Sequence, residues 1–69
     1  MIDIRKNSLE VVRVQNTNFK GFDLVDIRIF YQDGEGLKPT RKGITVKREQ
    51  LDDLIQALQK LKEEQSHDS

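Results

Sequence analysis

The sequence predicts an α+β fold in which four antiparallel β-strands are followed by one C-terminal α-helix, ββββα. Three observations lead there. Runs with apolar alternation of period two recur as far as Val46. Breaks at Asn7-Ser8, Asn16-Thr17-Asn18 with Phe19-Lys20-Gly21, and Asp33-Gly34-Glu35-Gly36 separate them. From Arg48 onward the apolar period changes to three and four, the spacing of a helix face.

The first strand is the short alternation Ile2-Asp3-Ile4-Arg5. The second is expected from about Leu9 to Gln15 on its β-branched Val11, Val12 and Val14. Asn16-Thr17-Asn18 is expected to break it, leaving Phe19-Lys20-Gly21 as a connection. The third strand, Phe22 to Tyr31, places Val25, Ile27, Ile29 and Tyr31 on one face, which is expected to lie on the core. Phe22, Leu24, Asp26, Arg28 and Phe30 fall on the other, a mixture that suits a flat, charged ligand or a second subunit. A bulge or added twist near the strand end leaves the face of Tyr31 open. The fourth strand, Leu37 to Val46, contains Pro39, which cannot donate to a ladder and marks an edge or a bulge. A helix is expected from near Arg48 to about Glu64, with Leu51, Leu54, Ile55, Leu58 and Leu61 as its apolar stripe. Lys47 and Arg48 sit at its start, where cations oppose the dipole and no side chain caps it, unless a phosphate lies nearby.

A chain of 69 residues makes one domain, taken as residues 1–64 with a disordered tail over 65–69. So small a domain buries only about 60% of its unfolded surface and commonly needs a disulfide, a metal or a partner subunit. There is no cysteine, and His67, the one histidine, has no co-ligand nearby in sequence. Self-association is the remaining support. A small sheet cannot cover Leu51, Leu54, Leu58 and Leu61 together, so these four are expected at a homodimer interface. No nucleophile, acid/base pair or metal cluster stands out, so neither catalysis nor a cofactor is expected. Asp26 and Arg28, two apart on one strand face, read most simply as an ion pair.

Twelve basic and twelve acidic residues balance overall, but unevenly along the chain. Between Leu37 and Arg48 there are five cations and no acid, a local field that attracts a polyanion. All four aromatics, Phe19, Phe22, Phe30 and Tyr31, lie close before this run. Aromatic platforms flanked by cations hold single-stranded nucleic acid by base stacking. Phe22 and Phe30 read equally well as core; Phe19, beside Asn18, Lys20 and Gly21, reads less well as core.

The order of short motifs is familiar. It runs Phe19-Lys20-Gly21, Val25-Asp26-Ile27-Arg28, Phe30-Tyr31, Asp33, Glu35-Gly36, Lys38-Pro39-Thr40-Arg41-Lys42-Gly43-Ile44 and Glu49-Gln50-Leu51. It resembles the transcriptional positive cofactor four family, the single-stranded-DNA-binding coactivators, in their C-terminal domain. The resemblance implies a curved sheet and a helix, paired as a homodimer that presents two β-ridges to single strands or melted duplex. It implies base stacking by Phe19 and by Tyr31, which stands where the family usually has tryptophan. It implies phosphate contacts from Lys20, Arg28, Lys38, Arg41 and Lys42; Lys47 joins them on this sequence's own account. Phe22 departs from the pattern, standing where the family often has lysine, and so weakens a backbone contact or adds a stacking surface. The turn after Asp33 is about one residue shorter, and Lys47-Arg48 replaces the usual capped helix start.

The expected function is therefore sequence-tolerant binding of single-stranded DNA in transcription regulation or DNA maintenance. Alternatives are single-stranded RNA binding and a protein-interaction module using the leucine face. The transcription machinery is a further candidate partner. No apolar run approaches a membrane span, and the expected location is the cytoplasm, with the nucleoid in a bacterium or phage-infected cell, or the nucleus in a eukaryote.

Overall fold

A computed structural model describes residues 1–67, with side chains described through Glu64. Four strands, β1 (Ile2–Arg5), β2 (Glu10–Phe19), β3 (Phe22–Asp33) and β4 (Gly36–Lys47), form one antiparallel sheet in chain order. A 3-10 turn over Arg48–Gln50 leads into α1 (Leu51–His67). The helix thus reaches beyond the expected Glu64. The tail expected over 65–69 lies outside the described side chains.

The Asn7 side chain closes the first turn, its Oδ1 accepting the N–H groups of Leu9 (2.9 Å) and Glu10 (2.8 Å). The second turn differs from expectation. β2 does not stop at Gln15; it continues through Asn16-Thr17-Asn18, paired residue for residue with β3 from Glu10↔Tyr31 to Phe19↔Phe22. Cross-strand pairing outweighs the local turn preference of the two asparagines, and Phe19 belongs to a strand. Only Lys20 and Gly21 lie between the strands, with φ of +50° and +84°, the signs of a type I′ hairpin turn.

β4 pairs regularly with β3 from Leu24↔Lys47 to Arg28↔Gly43, then resumes at Phe30↔Pro39. Thr40, Arg41 and Lys42 therefore bulge from the sheet edge, where Pro39 leaves no ladder bond unmade. Close approach explains Gly43: a Cβ there would stand 2.5 Å from the Ile27 carbonyl oxygen and 2.8 Å from the Arg28 Cα.

Alternation sorts the side chains into two faces. Val12, Val14, Val25, Ile27, Ile29, Ile44 and Val46 share one with Ile2 and Ile4. Val11, Arg13, Thr17, Phe19, Phe22, Leu24, Asp26, Arg28, Phe30, Thr45 and Lys47 share the other. The core does not coincide with the apolar face, contrary to expectation. Val25 is buried there, but Ile2, Ile4 and Ile44 are more than half exposed, while Val11 and Phe30 are buried on the mixed face. The reason is a polar lid. The Arg13 guanidinium lies 4.4 Å from the Phe30 ring centroid, and Asp3 fixes it with contacts of 2.7 and 2.9 Å. This pair holds the Asp3 carboxyl below its ordinary range.

The helix start lacks a side-chain cap at Lys47, but Gln50 reaches back and its Oε1 accepts the Lys47 N–H at 3.0 Å. Leu51 and Leu54 are half-buried, and Ile55, Leu58 and Leu61 are exposed. The chain is correspondingly open. Its radius of gyration is 14.4 Å, against about 11 Å for a compact domain of this length.

The buried pair and the tight glycine make a stability prediction. Phe30→Ala should lower unfolding free energy by about 3–5 kcal/mol, and Gly43→Ala should cost about 1–3 kcal/mol through the backbone shift it forces. Urea denaturation measures both; a loss under about 0.5 kcal/mol, the range of an ordinary surface change, would contradict this description of the core.

Candidate nucleic-acid interface

The tip of the β2–β3 hairpin is the most distinctive surface. Phe19 and Phe22 form its last register pair and point to the same side, and they are 63% and 66% exposed. Lys20 between them holds a left-handed conformation, which costs an L-residue roughly 1–2 kcal/mol. That conformation sets its ammonium 5.4 Å from the Phe19 ring centroid. Asn18 braces the turn: its Oδ1 accepts the Gly21 N–H at 3.3 Å, and its Nδ2 donates to Asp23 Oδ1 at 3.2 Å.

Inward from the tip, Thr17, Phe19, Leu24, Asp26, Arg28 and Thr45 line a groove of about 350 Å³. Its floor is a polar network. The buried Asp26 accepts from Arg28 Nε (3.2 Å), Arg28 Nη2 (3.0 Å) and Thr45 Oγ1 (3.2 Å). Arg28 Nη1 donates to the Thr40 carbonyl at 3.1 Å, tying the groove to the β4 bulge. The Thr40 hydroxyl in turn donates to the Ile29 carbonyl (2.7 Å) and accepts the Lys42 N–H (3.2 Å). Arg28 thus pairs with Asp26, as the ion-pair reading anticipates, and in addition walls the groove and anchors the bulge; Arg41 and Lys42 are displayed on that exposed bulge.

Lys47 stands opposite Leu24 on the groove face. Arg48 instead donates to Asn16 Oδ1 at 2.5 Å. A second groove, of about 230 Å³, is lined by Phe22, Asp23, Leu24, Lys47, Arg48 and Glu49.

Tyr31 and Lys38 lie apart from these. They are cross-strand partners on the apolar face, and nine residues of strand put Tyr31 about 30 Å from the Phe22 end. Tyr31 is 44% exposed, beside Glu10 in the register. The Lys38 ammonium is 2.8 Å from Asp33 Oδ2 and 3.6 Å from Glu35 Oε2. That ammonium, with the Glu35 N–H, holds the Asp33 carboxyl below its usual range. The Asn7 amide does the same for Glu10, helped by the charges of Lys6 and Lys42.

Of the expected DNA contacts, the fold gathers Phe19, Lys20, Arg28 and Lys47 on one face, places Arg41 and Lys42 on the bulge, and sets Tyr31 and Lys38 on the other face. Phe22 is the residue this selection omits. The two-residue spacer between it and Phe19 is the sequence signal that pairs them.

The architecture is a small sheet-and-helix module with exposed aromatics among cations. The chain belongs to the Transcriptional Coactivator p15 (PC4) family, whose model matches residues 6–57. A PC4 homolog from Burkholderia pseudomallei is 30% identical, with a TM-score of 0.86 over 90% of this chain and 85% of that one. A second crystal form of it gives 28% and 0.83 over 90% and 93%. The MoSub1–ssDNA complex shares the fold at 24% identity and a TM-score of 0.68, over 97% and 78% of the two chains. No curated protein sequence matches significantly.

The strained turn is testable without a ligand. Asparagine tolerates the left-handed region, so Lys20→Asn should raise unfolding free energy by up to about 1 kcal/mol. A fall in the urea midpoint would show that Lys20 supports the fold by some other route.

Proposed function

We propose that the chain binds single-stranded DNA, including melted duplex, without strict sequence preference, as a homodimer acting in transcription regulation or DNA maintenance. The observation that carries this reading is Phe19: an aromatic ring 63% exposed, with the Lys20 ammonium beside it, at the mouth of an open groove. A soluble domain gains nothing by leaving such a ring in water, whereas a base stacked on it contributes roughly 1–3 kcal/mol. Lys20, Arg41, Lys42 and Lys47 would follow the phosphates. Arg28 would act mainly by shaping the groove, and Lys38 would contact a phosphate only by exchanging its bond to Asp33. Tyr31 would provide a second platform, reached by a strand crossing to the other face or another protomer. Membership of the PC4 family and the MoSub1–ssDNA complex support the same ligand.

Dimerisation is supported by surface area. The chain exposes 5878 Å², where a compact monomer of 8.1 kDa exposes about 4,500 Å². Such an excess is what a protomer with an uncovered interface displays. Leu58 and Leu61 are each 57% exposed, and Ile2, Ile4 and Ile44 lie bare on the apolar face; with Leu51 and Leu54 they are the surface a second copy would cover.

Titration of labelled oligothymidine should show binding at micromolar protein and low salt; its absence would sink the reading. Phe19→Ala and Tyr31→Ala should each cost about 1–3 kcal/mol of binding while the chain stays folded. Lys42→Ala should lower the salt slope by about 0.7, the value for one phosphate of a single strand, and an unchanged slope removes Lys42 from the contacts.

Sedimentation at tens of micromolar should give twice the chain mass of 8.1 kDa. Leu58→Glu and Leu61→Glu together should shift it toward the monomer, and a monomeric unaltered chain would refute the dimer.

A further inference from the structure

We propose that Phe22 is a further stacking platform, forming with Phe19 a two-ring step that takes two neighbouring bases of a single strand. The inference rests on the single-strand reading above and assigns it a residue of this chain's own.

The geometry begins with the turn. Lys20 and Gly21 alone separate the strands, so Phe19 and Phe22 are directly opposed. Directly opposed side chains on one face have Cβ atoms about 4.5–5.5 Å apart. Both rings are about two-thirds exposed, and neither belongs to the buried set Val11, Val25 and Phe30. Burying a phenylalanine side chain is worth about 1.5–3 kcal/mol, so two rings left bare together at a hairpin tip form an apolar patch with no folding role.

Each ring borders its own groove. Phe19 lines the groove that leads to Arg28, and Phe22 lines the one that leads to Lys47 and Glu49; Leu24 is the wall between them. Cations flank the pair on both sides, with Lys20 against Phe19 and Lys47 opposite Leu24. Asp23 and Glu49 also line the Phe22 groove. Lys47 and Arg48 line the same groove beside Glu49, so the backbone of a strand would be held on the Lys20 and Lys47 sides while its base meets the Phe22 ring.

The spacing also selects the ligand. Stacked neighbours along a duplex strand rise by about 3.4 Å. Rings carried on Cβ atoms about 5 Å apart suit adjacent bases of a strand that is stretched with its own stacking broken, which an unpaired strand permits and a duplex does not. A lysine at position 22 would instead supply one more phosphate contact. The chain exchanges charge for stacking at this position, and its affinity there should be insensitive to salt.

Three variants test this with oligothymidine. Phe22→Ala should weaken binding by roughly 5- to 150-fold, one stacked base, with the salt slope, the urea midpoint and the sedimentation coefficient unchanged. Phe22→Lys should steepen the salt slope by about 0.7. Phe22→Trp introduces the sole tryptophan of the chain, and its emission should be quenched as oligothymidine is added. The inference is overturned if Phe22→Ala binds like the unaltered chain, or if the tryptophan emission is indifferent to bound oligothymidine, while the single-strand reading survives either result. A changed sedimentation coefficient for Phe22→Ala would make the patch a contact between copies and also overturn it. If the unaltered chain binds no oligothymidine, both readings fall together.

Discussion

The rest of the molecule depends on the register of β2 against β3. Ten consecutive residue pairs, from Glu10↔Tyr31 to Phe19↔Phe22, are aligned without interruption. Because side chains alternate with period two, a slip of one residue would send every side chain of one strand to the wrong face. The register is pinned at the closed end by the two-residue turn, whose positive φ values match strand twist. At the open end Gln32 N–H donates to the Leu9 carbonyl at 2.7 Å, one step beyond the ladder. Between them the same face receives Val11 against Phe30 at one end and Phe19 against Phe22 at the other. One alternation thus produces both the small buried core and the exposed aromatic tip.

A chain with so few apolar residues cannot cover both sides of a four-stranded sheet, and its solution on the mixed face is polar. Arg13 roofs Phe30 while Asp3 holds it in place. Asp26, itself buried, gathers Arg28 and Thr45, and Arg28 anchors the bulge through Thr40. No buried side-chain polar atom among the described residues lacks a partner, so this network avoids the cost of an unmet hydrogen bond. The apolar face has no such roof. Removing Asp26 would leave Arg28 half-buried without its counter-charge and would release the bulge with it, so fold and displayed cations are coupled through one carboxylate.

Much of this was legible in the sequence because it is carried by periodicity. The four strands, their meander order and the leucine stripe follow from periods of two and of three to four, and Pro39 marks the edge because it lacks a donor. The continuation of β2 was not legible. Asn16 and Asn18 have local turn preferences, but in the fold they serve Arg48 and the Asp23–Gly21 turn across the strand pair. The different fates of Phe22 and Phe30 were equally hidden, since both lie on one face of one strand; Phe30 meets buried Val11 under Arg13, whereas Phe22 meets exposed Phe19 at the hairpin tip. Lys38 sits in a cationic run, yet its partners Asp33 and Glu35 come from the turn just before it, a closure that composition does not show. At Lys47 the missing cap is supplied from Gln50, three residues later, which removes the need for an external anion there.

These internal partners bear on how a balanced chain could hold a polyanion. Arg13, Arg28 and Lys38 each already face a carboxylate at 3.0 Å or less. A phosphate that recruits one of them gains a contact and breaks one, and the net is smaller than a count of lysines and arginines implies. The cost differs between them. Lys38 is 57% exposed and can exchange partners in water, whereas Arg28 would leave the buried Asp26 with the Thr45 hydroxyl but no counter-charge. Counterion release scales with phosphates neutralised, so such a chain draws less of its affinity from charge than its twelve cations suggest and more from exposed rings. Stacking on an aromatic surface tolerates every base, because each has a π-face, and releases no counterion of its own. A neutral module with bare phenylalanines at a hydrogen-bonded hairpin tip is therefore a consistent physical design, in which stacking supplies the affinity that balanced charge withholds.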